Sequence, residues 1–333
     1  MDLKTLLSDV EQELQKQVSR LDVPRTKHFH DMLTYHMGWT GEGASSDAAG
    51  KRIRPLMVLL STASSGGDWR SALPAAAAIE LVHNLSLVHD DIQDNSPKRR
   101  GRDTAWVKWG APMAINIGDA LFVIANQAII DLKENFPAEV VVQAAEILNN
   151  TCLELTRGQF LDMSYEERTD LTVEDYWPMI AGKTAALLSA CCHLGALLGG
   201  ADQVKQETYR SFGHYLGLAF QVQDDILGIW GDENVTGKSA ASDLLEGKNS
   251  LPILAGLGRK GKFAERWLQG PINPDEVEAV ARLLASEGGL IAAQEAAQQM
   301  TELALMSLRE VDAQGEAGEA LFELADKLLK RDQ

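Results

Sequence analysis

The segment from Glu80 to Arg102 constrains the fold of this chain more than any other stretch of its sequence. It begins as an apolar run with helical periodicity, continues into a cluster of carboxylates and ends in a basic run. The residues of these two groups are Asp90, Asp91 and Asp94, then Lys98, Arg99, Arg100 and Arg102. A helix places Asp90 and Asp94 one turn apart on one face. Carboxylates at that separation repel each other, so the segment predicts a bound cation at the end of a largely buried helix.

A second acidic pair, Asp224 and Asp225, repeats the pattern Val-x-Asp-Asp-Ile at the end of another predicted helix. We therefore expect both acidic helix ends to face one cavity. Carboxylate ligands favour Mg²⁺ or Ca²⁺ over zinc. The cysteines, Cys152, Cys191 and Cys192, have no metal-ligand spacing and suggest a reducing compartment.

Composition predicts an all-α fold. The chain has 333 residues, of which 45% are hydrophobic, and this is enough apolar material for a large core. Only 10 residues are proline, which favours helix nearly throughout the chain. Periodicity places long helices over about residues 73–94, 111–133, 137–162 and 204–230. Thr172 and Asp175 fit a capping box that opens a helix through Ile180, and residues 38–50 predict a flexible loop. No linker divides the sequence convincingly. We predict a single all-α domain over residues 1–333, a large helical bundle around a central cavity.

The overall charge limits the partners of the chain. A formal net charge of -17 and a pI near 4.8 argue against nucleic acid or an anionic membrane as a partner. The first residues predict a charged amphipathic helix rather than a signal peptide. The longest mostly apolar run, residues 185–199, is shorter than a membrane span. We expect a soluble, cytoplasmic protein without stable membrane insertion.

Basic side chains gather near predicted helix ends and glycine-rich segments. Lys51 and Arg54 lie at a helix start, where the macrodipole disfavours cations but suits a bound anion. Two exposed bases before a helix are the more ordinary alternative. Residues 231–250 are polar and glycine-rich and predict a loop or lid. The bases considered together are Lys51, Arg54, Arg99, Arg100, Lys183, Lys238 and Lys248. These seven basic residues are more than the binding of one substrate carboxylate would need.

These residues indicate phosphate chemistry rather than covalent catalysis. The sequence contains no recognisable Ser-His-Asp or Cys-His arrangement. Acids, many bases and an apolar helical interior suit a polyphosphate held by Mg²⁺, with the hydrocarbon part of the substrate buried among helices. Such a site stabilises a departing diphosphate electrostatically. A dry cavity would protect the reactive cation that remains.

Motifs between Gly50 and Pro252 together resemble those of the trans-isoprenyl diphosphate synthases of the polyprenyl synthetase family, geranylgeranyl diphosphate synthases in particular. In chain order they are Gly-Lys-x-x-Arg-Pro at 50–55, His83, Asp-Asp-x-x-Asp at 90–94, Arg-Arg-Gly at 99–101, Gly-Gln-x-x-Asp at 158–162, Lys-Thr at 183–184, Phe-Gln-x-x-Asp-Asp at 220–225, Gly-Lys at 237–238 and Gly-Lys-x-x-Leu-Pro at 247–252. One motif alone is weak evidence, but this many in the family's order are specific. The resemblance implies the isoprenoid synthase-type helical fold.

The resemblance also implies a role for each matching residue. The isopentenyl diphosphate site would comprise Lys51, Arg54, His83 and Arg100. The allylic diphosphate site would comprise Arg99, Lys183, Thr184, Gln221, Lys238 and Lys248. The Mg²⁺ ligands would be Asp90, Asp94 and Asp224, which together with Lys183 are the expected catalytic residues. Condensation would give a longer all-trans polyprenyl diphosphate, and a homodimer is expected by analogy.

One position departs from the family pattern. The second acidic motif of the family usually ends in a third aspartate, whereas this chain has Gly228. Loss of a carboxylate one turn after Asp224 should weaken metal retention, with Asp232 as a candidate substitute. We therefore expect Gly228→Asp to lower the Mg²⁺ requirement. In a helix Asp91 and Asp225 face away from their neighbours by about 100°, which suggests a supporting or capping role.

Product length can be predicted from the helix that carries the first acidic cluster. The substrate tail should run back along this helix, roughly one turn of about 5.4 Å for each isoprene unit. Ser86 and Leu85 lie about one turn before Asp90, and Val82 lies about two turns before it. In the family a bulky aromatic residue at the first level stops growth early. Neither residue there is aromatic, so we expect a geranylgeranyl (C20) or longer product, with Phe122 of an opposing helix contributing to the cavity floor.

Three other functions fit parts of the sequence. A farnesyl diphosphate synthase would differ in product length alone. A terpene cyclase on the same scaffold would need no isopentenyl site, and Lys51, Arg54 and Arg100 argue against it, as does the lack of an Asn/Asp-x-x-Ser-x-x-x-Glu motif. A non-catalytic partner subunit of a prenyl diphosphate synthase would explain the degraded second motif, but the intact first motif opposes it.

Overall fold

Helices make up almost the whole structure. The computed structural model describes residues 1–166, 168–231 and 241–330. Numbered in chain order, the helices of these residues are α1 (Leu3–Val18), α2 (Lys27–His36), α3 (Ser46–Ala49), α4 (Ile53–Ser64), α5 (Leu73–Gln93), α6 (Ala105–Trp109), α7 (Ala111–Asp131), α8 (Ala138–Tyr165), α9 (Val173–Ile180), α10 (Ala186–Leu198), α11 (Gln203–Trp230), α12 (Ser242–Glu246), α13 (Leu251–Gly258), α14 (Lys262–Trp267), α15 (Val277–Ser286), α16 (Gly289–Glu310) and α17 (Gly315–Leu329). The strands β1 (Lys98–Arg99) and β2 (Arg102–Asp103) pair antiparallel. The predicted all-α class is confirmed.

The long helices lie where the sequence predicted them. The helix expected over residues 73–94 is α5, which has Pro74 in its first turn and ends at Gln93. The capping box expected between Thr172 and Asp175 is present at the start of α9. These starts and stops were predictable because they depend on residues close together in the chain.

Several helices of the described residues were not predicted, among them α2, α6 and α12. Another is α3, which lies within residues 38–50, a segment expected to be a flexible loop. The start of α3 is stabilised by Ser45, whose hydroxyl accepts a hydrogen bond from the Ala48 amide at 3.1 Å. A single turn of this length has too few residues to show helical periodicity.

The chain forms two compact units, each built from more than one segment. Unit 1 comprises residues 1–152, 190–206 and 313–321. Unit 2 comprises the described residues within 153–189, 207–312 and 322–330. The single domain expected over residues 1–333 stays a prediction.

Helices α5 and α7 form the centre of unit 1. The alanines at 75–78 of α5 are fully buried, and their small side chains let neighbouring helices approach closely. Helix α7 packs closely on α5 at Gly118, where an added Cβ atom would lie 2.1 Å from Nε2 of His89. Helices α4 and α1 also pack on α5. The helix that carries the first acidic cluster is therefore held by packing along its length.

The helix with the second acidic pair, α11, lies in a hydrophobic cluster of unit 2. Its Leu218 and Val222 pack with Tyr176 and Ile180 of α9 and with Leu251 of α13. All five side chains are less than 9% exposed. Packing on two other helices thus fixes the position of α11 near its acidic end.

Three helical stretches are long and apolar enough to span a membrane, judged by length and composition: residues 69–93, 111–134 and 173–198. This finding corrects the expectation that the apolar run at 185–199 is too short. Helix α9, a π turn at Ala181–Ala185 and α10 follow one another without a break as a 26-residue stretch. In the first and third stretches 67% and 72% of the most apolar window is buried inside the protein, against 44% for the stretch that contains α7. Helix α7 therefore keeps part of its apolar surface exposed.

Candidate active site

The end of α5 and the β1–β2 hairpin position the first acidic cluster and the bases that follow it. Asp94 is the C-cap of α5 and is exposed, whereas Asp90 is partly buried. The central residues of the hairpin, Arg100 and Gly101, have φ angles of 52° and 76°. Positive φ at both positions is what a two-residue type I′ turn requires. The tight turn brings the basic residues back beside α5.

Asp91 faces the hairpin. Its buried carboxylate accepts a hydrogen bond from Nε of Arg99 at 2.7 Å. Burial raises the pKa of Asp91 to about 6, and Arg99 opposes this rise. The supporting role suggested by the position of Asp91 on the helix matches this ion pair, which orients a base expected to bind diphosphate.

The other hairpin base, Arg100, contacts the segment before α4. Its Nη1 donates to the carbonyl oxygens of Ala48 and Ala49 at 3.0 and 2.7 Å. A cavity of about 30 Å³ nearby has His36, Asn84, Asp91, Arg99 and Arg100 among its lining residues. That volume accommodates about one water molecule. The hairpin is thus in direct contact with the residues that immediately precede the Gly-Lys-x-x-Arg-Pro motif.

Arg54 and His83 lie in the same electropositive region of unit 1. Burial, reinforced by Arg54 and Arg100, lowers the pKa of His83 well below its usual value, so its imidazole is neutral at pH 7. The Nε atom of Arg54 is buried and has no hydrogen-bond partner among the residues that the structure describes. A buried guanidinium nitrogen without an acceptor is stabilised by an anion. The geometry therefore fits an anion-binding site, and Lys51 at its edge is exposed.

In unit 2, the backbone of α8 directly contacts the backbone of the segment that follows α9. A Cβ atom on Gly158 would lie 2.1 Å from the backbone nitrogen of Lys183, and one on Gly182 would lie 2.7 Å from Cα of Gly158. Any side chain at either position would separate the two segments. Because they touch, Lys183 reaches Asp162, one turn after Gly158, and forms an ion pair with it.

A π turn at Ala181–Ala185 presents Lys183 and Thr184. Pro178, inside α9, has no amide hydrogen to donate within the helix. Single π turns within helices occur frequently at functional sites. The irregular backbone of this stretch thus coincides with the Lys-Thr motif that the sequence singled out.

Asp225 connects three of the motifs by hydrogen bonds. Its buried carboxylate accepts bonds from the Tyr176 hydroxyl at 2.7 Å, Nε2 of Gln221 at 2.9 Å and the Leu251 amide at 3.1 Å. The Thr184 hydroxyl donates to Oε1 of Gln221 at 2.7 Å. Burial raises the pKa of Asp225 to about 7, although these donors lower it. Asp225 therefore supports Gln221 and Thr184, both expected to contact the allylic diphosphate.

Gly228, the position that departs from the family pattern, is packed against a carboxylate. A Cβ atom there would lie 2.5 to 2.7 Å from the carboxylate atoms of Asp243. Asp243 is buried in the first turn of α12. Its Oδ1 lies 3.7 Å from Nζ of Lys248, which also pairs with Glu246 at 2.8 Å. This packing argues against the expectation that Gly228→Asp lowers the Mg²⁺ requirement, because another side chain already occupies the space.

The expected metal ligands are Asp90, Asp94 and Asp224. Across residues 1–166, 168–231 and 241–330, no three His, Cys, Asp or Glu side chains are grouped closely enough to hold a metal ion. Mg²⁺ commonly takes one or two protein carboxylates and completes its coordination with water and substrate phosphates. A pair of carboxylates one turn apart, at the end of a rigid helix, fits a Mg²⁺ ion of that kind.

The expected chain-length positions lie along α5. Val82 is fully buried, whereas Leu85 and Ser86 are partly exposed. The Ser86 hydroxyl donates to the His83 carbonyl at 2.8 Å. On α7, Phe122 is 36% exposed. A substrate tail that follows α5 would thus meet Leu85 and Ser86 before the core.

Lys238 and Asp232, expected in the loop of residues 231–250, lie outside the described residues. The described part of that loop contains α12. Tyr176, which donates to Asp225, was not among the residues predicted from the sequence. A buried tyrosine hydroxyl normally has an acceptor, but its sequence gives no indication of which one.

Comparison with known proteins agrees with the motifs. Residues 44–285 match the family model for polyprenyl synthetase. A geranylgeranyl diphosphate synthase of Mycobacterium tuberculosis is 41% identical over 284 residues, which cover 83% of this chain and 80% of that protein. A (2E,6E)-farnesyl diphosphate synthase of Mycobacterium bovis is 38% identical over 286 residues, with 83% and 77% covered.

A solved structure supports the same assignment. The polyprenyl synthetase of Streptomyces coelicolor A3(2) is 35% identical to this chain and superposes with a TM-score of 0.87. The match covers 98% of this chain and 99% of that one. The chain therefore has the helical fold that the resemblance implied and belongs to the polyprenyl synthetase family.

Proposed function

We propose that this protein is a Mg²⁺-dependent polyprenyl diphosphate synthase. It condenses isopentenyl diphosphate with an allylic diphosphate to give a longer all-trans polyprenyl diphosphate. The observation that carries the proposal is the anion-binding region of unit 1, where the buried Nε of Arg54 lacks an acceptor among the described residues and Arg100 reaches the same segment. A terpene cyclase has no need of this region. The names of the relatives, geranylgeranyl and farnesyl diphosphate synthase, support the same activity.

The isopentenyl diphosphate is bound by Lys51, Arg54, His83 and Arg100. Neutral His83 donates a hydrogen bond to a phosphate oxygen without adding a third charge next to the two arginines. The cost of burying Arg54 is recovered when the diphosphate arrives, since its oxygens supply the missing acceptor. These four residues thus hold the substrate whose double bond attacks the allylic carbon.

The allylic diphosphate is bound by a second set: Arg99, Lys183, Thr184, Gln221, Lys238 and Lys248. Arg99 and Lys183 are already oriented by Asp91 and Asp162. Bases held in place in this way lose little side-chain freedom when they contact the leaving group. They neutralise charge as the carbon–oxygen bond breaks. The isopentenyl double bond then attacks the allylic cation, and the released diphosphate accepts the proton that the resulting cation loses to form the product.

The metal ligands are Asp90, Asp94 and Asp224. When bound there, Mg²⁺ acts as a Lewis acid on the departing diphosphate. The apolar lengths of α5 and α7 exclude water from the hydrocarbon chain. Leu85, Ser86 and Val82 set how far that chain extends, and the absence of an aromatic ring among them favours a geranylgeranyl or longer product over farnesyl.

Turnover with defined substrates tests the proposal. Purified full-length protein is incubated with isopentenyl diphosphate, geranyl or farnesyl diphosphate and Mg²⁺, and the products are identified by mass spectrometry. Elongation that stops on addition of EDTA is the expected result. Cyclisation without isopentenyl diphosphate would indicate a terpene cyclase, and no turnover would favour a partner subunit. Arg100→Met should abolish most elongation, whereas Arg157→Met, in an exposed ion pair, should not.

We also propose that the protein is a cytoplasmic homodimer, without nucleic acid or stable membrane insertion. Helix α7 exposes an apolar stripe of Ile115, Phe122, Val123 and Ile130, each 36% to 54% exposed. A groove of about 330 Å³ beside it is lined by Ile130, Val142 and Asn149 among others. A second copy covers such a stripe symmetrically, because the same residues serve both partners.

The oligomeric state tests this second proposal. Val123→Glu should convert the dimer to a monomer in analytical ultracentrifugation, because it places a charge in the centre of the stripe. Val204→Glu is the matched control, since Val204 is 76% exposed and lies away from α7 in the sequence. A monomeric wild-type protein would refute the proposal.

A further inference from the structure

Arg52 is a buried base within the Gly-Lys-x-x-Arg-Pro motif. Its neighbour Lys51 is exposed, whereas Arg52 is only 3% exposed. It is the residue before the first turn of α4, with φ 49° and ψ 37°. An L-residue adopts this left-handed conformation only when its surroundings enforce it. The contacts of the Arg52 side chain therefore determine how the motif is presented.

The Arg52 guanidinium bridges two carboxylates on different helices. Its Nε donates to Oε1 of Glu11 on α1 at 2.5 Å, and its Nη1 donates to Oε1 of Glu80 on α5 at 2.8 Å. Each acid has a further donor: the Trp39 indole bonds to Glu11 at 2.8 Å, and the Asn84 amide bonds to Glu80 at 3.2 Å. The segment before α4 is thus fixed to both α1 and α5.

Glu80 also influences the substrate-binding base two residues later. Burial lowers the pKa of Arg54, and Glu80 acts in the opposite direction, which places this carboxylate within electrostatic reach of Arg54. Glu80 is 3% exposed and so depends on a nearby cation. In the structure that cation is Arg52, and Nε of Arg54 bonds to no described residue.

We propose that Arg52 is a positioning residue, which neutralises Glu80 and holds the Lys51–Arg54 segment so that Arg54 stays available for the diphosphate of isopentenyl diphosphate. The proposal rests on the function proposed above. Without Arg52, the buried carboxylate of Glu80 would draw Arg54 toward itself. The loss would then fall on isopentenyl diphosphate, since Arg52 itself contacts no substrate.

Binding and turnover of a small variant set test this role. Arg52→Met should raise the KM for isopentenyl diphosphate and its calorimetric Kd by about tenfold or more, the factor expected for one charge-assisted hydrogen bond. The KM for the allylic substrate should change by less than about threefold. Adding Glu80→Gln to Arg52→Met should restore most of the affinity, because no unpaired carboxylate remains. Arg52→Lys, which keeps the charge, should stay close to wild type.

A role limited to stability gives a different pattern. Arg52→Met would then lower Tm and change every kinetic constant in parallel, and Glu80→Gln would not restore affinity; that outcome overturns the proposal. Arg266→Met is the matched control, because it breaks the Arg266–Glu276 ion pair of unit 2 and should lower Tm without changing the KM. If Arg52→Met does not fold, Glu11→Gln, which weakens the same bridge, must raise the isopentenyl Kd selectively. A wild-type protein that does not elongate would refute the proposed function instead.

Discussion

Two helix ends with the same Val-x-Asp-Asp-Ile pattern, at 88–92 and 222–226, are supported by different chemistry. On α5 the second aspartate, Asp91, pairs with a cation, Arg99. On α11 the second aspartate, Asp225, accepts hydrogen bonds from three neutral donors within the part of the chain that the structure describes. The comparison teaches that four shared residues specify where a carboxylate points on a helix, while its neighbours specify how that carboxylate is stabilised.

The third acidic position differs between the two motifs in both residue and environment: it is Asp94 in the first and Gly228 in the second. Helix α5 ends at Gln93, so Asp94 extends into solvent at the C-cap. Helix α11 continues to Trp230, so Gly228 is still inside the helix and buried. There Asp243 fills the space that a side chain would need. The departure from the family motif is therefore accompanied by local repacking.

The largest expected effect is on metal-dependent turnover. Asp90→Asn and Asp224→Asn should each lower kcat by about a hundredfold or more, since metal ions contribute several kcal/mol of transition-state stabilisation. Steady-state rates across a Mg²⁺ titration provide the measurement. Asp326→Asn, at an exposed ion pair, is the control and should leave kcat unchanged. If only Asp90→Asn is impaired, the two helix ends are not equivalent in function.

A smaller effect, on the free energy of unfolding, is expected when the residues at positions 94 and 228 are exchanged. Gly228→Asp should lower the free energy of unfolding by about 1–3 kcal/mol, because overpacking and repulsion from Asp243 outweigh the gain in helix propensity of about 0.3 kcal/mol on replacing glycine with aspartate. Adding Asp243→Gly should recover most of this loss. Asp94→Gly should change stability by less than about 1 kcal/mol. Urea unfolding measures all three, and a stable Gly228→Asp protein with a lower Mg²⁺ requirement would contradict this account.

Acid should lower the free energy of unfolding through His36, which lies near the first acidic motif. Burial, followed by Arg99 and Arg100, lowers the pKa of His36 from 6.5 to about 3. Between these values the unfolded chain binds a proton that the folded protein does not. The contribution of neutral His36 to the free energy of unfolding is therefore complete above pH 6.5. It is lost as the pH falls toward 3, at up to about 1.4 kcal/mol per pH unit.

Unfolding measured at pH 7.5 and pH 5.0 tests this expectation. His36→Gln should flatten the dependence, because its side chain does not titrate. His28→Gln, at an exposed position, should leave the slope as it is in the wild type. An unchanged slope in His36→Gln would mean that another group governs the acid sensitivity.

The smallest effect on rate is expected from Ser86→Phe. A ring one turn from Asp90 should block the growing chain and shift the main product to a shorter length, with kcat changed by only a few fold. Products from farnesyl diphosphate, separated by chromatography, show the shift, and Ser86→Ala is the control. If product length does not change, the tail does not follow α5.

Much of the fold was predictable because its signals are local. The helical periodicity of the apolar run before Asp90 predicted α5, and Thr172 with Asp175 predicted the start of α9. The family motifs also predicted membership from sequence alone. The run at 185–199 was expected to be too short to span a membrane, but the helical stretch that contains it begins at residue 173. The chain continues through Gly182 as a π turn, in close contact with Gly158, rather than ending a helix there.

The sequence by itself determined the helices, the family and the identity of the residues with candidate chemistry, since periodicity, caps and motif spacing depend on neighbours along the chain. Only the tertiary structure decided which partner each charge has. Tyr176 and Asp225 are 49 positions apart, and Arg52 is 41 positions from Glu11 and 28 from Glu80. Such pairs form because packing brings distant segments together and a buried charge requires a partner, and no local pattern names that partner.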